Sequence, residues 1–238
     1  MIAPRNIPGM SSREPSGGIA PQTRSPQMLR EEGATACVPK VVPCADCPLP
    51  AEEVLVVPGN GPANAPIVFV GGKPDLEEGR AGRPLVGEIG ELFDRLLAEA
   101  GLDRQQVYVT YAVKHVARAS GEPRRSPARL SMRELRACRS WLEAELRAIR
   151  PQVLVCLGAP AARALLGPQF RFRTELGHVQ STEWAPQTIA TYLPSALLRT
   201  ADSMARAQIR EQFAYDLDRA AQWVREAGKS RSARPQKG

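Results

Sequence analysis

The chain has 238 residues, 43% of them hydrophobic, with 32 lysines and arginines against 25 acids and a formal net charge of +7. That size buries one sizeable core, and five cysteines with no sign of export exclude a small disulfide-stapled scaffold. No apolar run reaches the roughly 18 residues of a membrane span, and the opening MIAPRNIPGMSSREPSGG lacks a signal peptide's apolar core, so a cytoplasmic protein with no membrane partner is expected.

Residues 1–36 mix Pro, Gly, Ser and Arg without any period and are expected to be disordered. One domain is expected over 37–226, followed by a basic disordered tail at 227–238. Cys44 and Cys47 in PCADCPLP precede the first core strand, APIVFVGG, after which GELFDRLLAEAG predicts a helix with Leu92, Phe93, Leu96 and Leu97 on one face. QVYVTYAVKHV reads as a second strand. Residues 117–136 follow as a basic loop holding six arginines against Glu122 and Glu134.

Ser131 and Glu134 form a capping box that opens a helix through Leu135, Cys138, Leu142, Leu146 and Ile149, ending at Pro151. QVLVCLG predicts a third strand, APAARALLG a short helix, TIATYLP a fourth strand and AQIREQFAYDLDRAAQWVREAG a closing helix. Strands alternating with helices predict a three-layer α/β/α fold around a mainly parallel four-stranded sheet, in a monomer. In such sheets ligands bind beyond the carboxyl ends of the strands, which is where Tyr192-Leu193-Pro194-Ser195 falls.

Two thiolates at Cys-x-x-Cys spacing can hold one metal or cluster iron. Redox chemistry is the competitor, but a thioredoxin-like pair sits between a strand and a helix, and this one precedes both. Cys156, inside an apolar strand, reads as an inert core thiol. Cys37 falls near the tail, which leaves as candidates His115 and Cys138, the latter on the apolar face of its helix and readable as either a buried core cysteine or a ligand. Spacing alone leaves zinc and a 4Fe-4S cluster both open. The basic loop and tail on a near-neutral body have the footprint of a nucleic-acid binder, or of solvated charge.

Taken in order, CADCPLP, IVFVGGKPDLEEGRAGRPLVGEIGELFDRLL, VYVTYAVKH, ACRSWLEAEL, RPQVLVCLGAPAARALLG and YLPSALLR resemble the iron–sulfur branch of the uracil-DNA glycosylase superfamily, from about Cys44 to Trp223. The AVKH block and the long basic loop are closest in pattern to its UdgX-like members, which bond covalently to DNA. The resemblance implies base-excision chemistry on single-stranded or damaged duplex DNA. It also implies a structural 4Fe-4S cluster held by Cys44, Cys47, His115 and Cys138.

Against the family pattern several functional positions have changed. The first motif reads Gly71-Gly72-Lys73-Pro74-Asp75, without the carboxylate that positions water. Leu85 stands where an aromatic stacks on the flipped base, Tyr111 where an asparagine reads its polar edge, Leu193 where a histidine steadies the departing uracil, and Pro127 where the cross-linking histidine falls. Losing an acid and an anion stabiliser removes about two to four powers of ten each. Tyr111 either fills the base cavity or stacks on a different base.

The replacement carboxylate is expected at Glu88, which matches a catalytic aspartate of another superfamily branch but also reads as a helix N-terminal acid. Asp75 is a second candidate, reading also as a cap. Arg124 and Arg125 are expected to hold phosphates, with Pro194, Ser195 and Arg199 against the strand. The expected function is hydrolysis of the N-glycosidic bond of a flipped damaged base, with uracil not supported by these pocket residues; the alternative is an inactive module that binds DNA or damaged DNA without releasing a base.

Overall fold

In the computed structural model, which describes residues 54–117 and 130–232, the apolar runs become strands buried on both faces. β1 (Val54–Val56), β2 (Ile67–Gly71), β3 (Val107–Tyr111), β4 (His115–Ala117), β5 (Val153–Leu157), β6 (Val179–Gln180) and β7 (Gln187–Thr191) alternate with helices. Those helices are α1 (Leu76–Ala81), α2 (Gly87–Glu99), α3 (Met132–Ile149), α4 (Gly158–Leu166), α5 (Phe172–Glu175), α6 (Pro194–Arg199) and α7 (Ser203–Ser232).

The main sheet has the order β3-β2-β5-β7-β6, parallel throughout except for β6. It therefore has five strands rather than the expected four. The extra one is a two-residue antiparallel edge with no apolar run to announce it.

Alternation along each strand divides the core in two. Ile67 and Phe69 of β2 point with Val109, Val155 and Ile189 toward α2 and α7, where Phe93 meets Phe69 edge to face at 5.1 Å. Val68 and Val70 point with Leu154 and Cys156 toward Leu142 and Leu146 of α3 and Ala161 of α4. This is the expected three-layer arrangement, and β2 and β5 are apolar throughout because both their faces are covered.

The run QVYVTYAVKHV is two strands, not one. After Tyr111 the chain continues to pair with the end of β2 through Ala112 N–H to Gly71 O (2.8 Å) and Val113 N–H to Gly72 O (2.9 Å). It then leaves the sheet, and β4 pairs antiparallel with β1, His115 opposite Val56. Helix α3 opens with the predicted capping box, Glu134 N–H donating to Ser131 Oγ (3.1 Å) and Ser131 N–H to Glu134 Oε2 (2.9 Å). Helix α7 continues to Ser232, so 227–232, expected in the tail, are helical. No helix among the described residues is long and apolar enough to cross a membrane.

Candidate active site

The carboxyl ends of β2, β3, β5 and β7 carry the motif positions. Gly71 closes β2 because nothing larger fits: a Cβ there would lie 2.4 Å from the Tyr111 ring. Tyr111, opposite Gly71 in register, is 3% exposed, so its ring fills the space beside the first motif. Its hydroxyl donates to Glu78 Oε1.

Glu78 was not among the residues singled out from the sequence. It is 6% exposed and gathers three donors from three segments: Leu85 N–H at 2.7 Å, Asp75 N–H at 2.8 Å and the Tyr111 hydroxyl. Burial holds its carboxyl above the usual range, and burial together with the adjacent Glu78 pushes the Tyr111 phenol well above its own. The signal in the sequence was the i to i+3 spacing from Asp75, since Asp75 Oδ1 accepts from Glu78 N–H (2.9 Å) to complete a capping box. Asp75, offered as a catalytic alternative, is thus engaged as the cap of α1.

Leu85 has φ 51°, a left-handed conformation that costs a branched side chain on the order of 1–3 kcal/mol. Glu78 fixes its N–H, and Gly90 permits its carbonyl to approach, since a Cβ on Gly90 would lie 2.1 Å from that oxygen. Leu85 and Leu193 both pack half-buried on the α2-side core, so apolar side chains stand where an aromatic and an imidazole were looked for. Leu193 Cβ lies 3.6 Å from where a Cβ on Gly158 would be, beside Pro160. Gly72 faces Leu130 and Pro160, each 3.0 Å from its hypothetical Cβ, and Pro74 is buried.

Glu88 lies in the first turn of α2 and is exposed, as a helix N-terminal acid would be. Pro194 occupies the first position of α6 and is buried, and Arg199 in its last turn is exposed. Ser195, expected against the DNA strand, is 4% exposed, and its Oγ has no hydrogen-bond partner among the described residues. As the second residue of a short helix it points inward. Arg124, Arg125 and Pro127 lie outside the described residues.

Of the four expected metal ligands, His115 and Cys138 come together, with Nδ1 and Sγ 3.3 Å apart and both side chains buried. Cys44 and Cys47 lie outside the described residues, and no group of three or more metal-binding side chains gathers among those described. Burial lowers the His115 pKa, favouring the neutral imidazole that a metal requires. Cys138 Sγ also accepts Lys114 N–H at 3.3 Å, a bond that suits sulfur carrying negative charge. A thiolate and a neutral imidazole within contact distance fit two ligands of one centre. Cys156 behaves as the core thiol expected, fully buried with its pKa pushed up to about 12.

Residues 58–217 match the family model of the uracil DNA glycosylase superfamily. A type-4 uracil-DNA glycosylase of Archaeoglobus fulgidus is 34% identical over 75% of this chain and 87% of its own length. One from Thermotoga maritima is 32% identical over 84% of this chain and 98% of its own. A type-5 uracil-DNA glycosylase of Pyrobaculum aerophilum is 34% identical over 46% of this chain and 52% of its own.

Proposed function

Because this chain belongs to the uracil-DNA glycosylase superfamily, we propose that it is an iron–sulfur DNA glycosylase that takes a flipped base other than uracil. The observation that carries the reading is Tyr111. Where the family pattern has an amide to read the uracil edge, this chain has a buried ring whose hydroxyl is already committed to Glu78. A uracil placed there would leave polar edges unpaired against Tyr111 and Leu193, at about 1–3 kcal/mol for each group. A base with more stacking surface and fewer polar demands on this wall is the better fit.

Glu88 is the carboxylate assigned to water activation, with the backbone dipoles of Gly71 to Pro74 facing the sugar. Its exposure in the free protein is compatible with burial beneath bound DNA. Arg124, Arg125 and Arg199 hold phosphates. Cys44, Cys47, His115 and Cys138 would hold a 4Fe-4S cluster, which supplies a cross-link between the amino-terminal loop and α3. A broad absorption near ~400 nm in the purified protein distinguishes the cluster from zinc.

The second reading, binding without base release, is favoured by Gly72 and Leu193, which carry neither the carboxylate nor the imidazole of the family pattern. Incubation with oligonucleotides carrying uracil, hypoxanthine or xanthine separates the two. Abasic sites are expected from a non-uracil base with wild type and not with Glu88→Gln. Rapid release of uracil would overturn the choice of base. Salt-dependent binding with no release of any base, unaffected by Glu88→Gln, would leave the binding module.

A further inference from the structure

Between α3 and the α4–α5 segment lies a cleft of about 1200 Å³ that none of the motif positions explains. Five arginines line it, Arg136 and Arg139 from α3, Arg163 from α4, and Arg171 and Arg173 at α5, with no carboxylate among the lining residues. All five are exposed. Arg139 is held by Glu143 at 2.7 Å and Arg163 reaches Phe170 O at 3.5 Å, so these two rims are partly fixed in place. Beneath the guanidinium groups the cleft is apolar, with Leu135, Leu142, Phe170 and Phe172 along it.

Its position ties it to the base site. Ala112, Leu130 and Pro160 are among its lining residues, and Leu130 and Pro160 are the residues that face Gly72. The cleft therefore abuts Gly72 of the first motif.

We propose that this cleft holds the single-stranded segment of DNA next to the flipped nucleotide. The inference rests on the reading of the chain as a DNA-acting glycosylase and adds to it the path of the strand. The volume exceeds the roughly 300–1,000 Å³ of a small-molecule pocket, which favours an extended ligand. Cationic rims over an apolar, phenylalanine-bearing floor match a strand whose phosphates face outward and whose unpaired bases face in, a pattern a duplex cannot satisfy because its bases are stacked on one another. The chain's own segment 118–129, which precedes Leu130 in sequence, carries four arginines and one glutamate. Like charge opposes its lying there in place of DNA.

The test uses the full chain and a fluorescein-labelled 15-nucleotide oligo-dT containing no damaged base, with binding followed by anisotropy across a salt series. Arg163→Glu combined with Arg173→Glu is expected to weaken binding at least 10-fold at low salt. Each lost phosphate contact flattens the log K against log salt slope by about 0.7. Arg163→Ala with Arg173→Ala, expected to fold as wild type, should show the same flattening with a smaller loss. Wild-type binding matched by both variants, slope included, overturns the cleft while leaving the DNA reading intact. Failure of the wild type to bind any DNA at low salt sinks both. Competition by a poly-glutamate peptide as effective as oligo-dT of equal charge also overturns it, because an acidic peptide would then be the better occupant.

Discussion

Glu78 shows what a single side chain can decide. It lies 33 residues from Tyr111 in sequence, yet it fixes that ring, the strained Leu85 backbone and the start of α1 together. Its raised pKa makes a signed prediction. Above pH 4.5 the unfolded chain gives up the Glu78 proton while the folded protein keeps it, so this residue's contribution is fully present at low pH and declines as pH rises through the folded value. Melting temperatures measured from pH 4.5 upward should fall more steeply for wild type than for Glu78→Gln; parallel curves would mean the carboxyl is ionised in the folded state. Tyr111 itself was legible from the sequence as a departure from pattern. That its hydroxyl meets Glu78 was not legible, because the spacing does not name that partner.

Secondary-structure elements were read most securely where a local rule closes on itself. The capping box of α3 and the apolar face of α2 are complete within one or two turns, and both formed as predicted. The second strand was overextended because its alternation does not stop at Tyr111; what ends it is the departure of the chain from the sheet to pair with β1, an event of packing. Asp75 gives a test at this scale. As the cap of α1, Asp75→Ala should cost about 1 kcal/mol in urea unfolding, while Asp75→Asn, which retains an accepting oxygen, should cost only a fraction of that. If Asp75→Asn leaves stability unchanged yet abolishes base release, Asp75 is catalytic as well as a cap.

At the scale of the whole molecule, one buried ion pair joins the sheet end to the helix that presents Cys138. Lys114 Nζ donates to Glu145 and to Thr110 Oγ1, and Glu145 also accepts Thr110 O–H at 2.7 Å and Gly59 N–H at 3.3 Å. Removing one partner strands a charge in the interior. Glu145→Ala should therefore cost about 3–5 kcal/mol, and Lys114→Met with Glu145→Leu should recover most of it. Denaturant midpoints of the single and double variants decide this; equal midpoints would place the pair in contact with water. The sequence by itself determined the layered α/β order, because strands apolar on both faces can be satisfied only between two layers of helices, and that requirement is written residue by residue. Only the tertiary structure decided that Tyr111 closes on Glu78, that Ser195 turns inward, and that arginines from three helices share one cleft. Those pairings join distant segments whose approach is set by how the layers pack, and no local period encodes it.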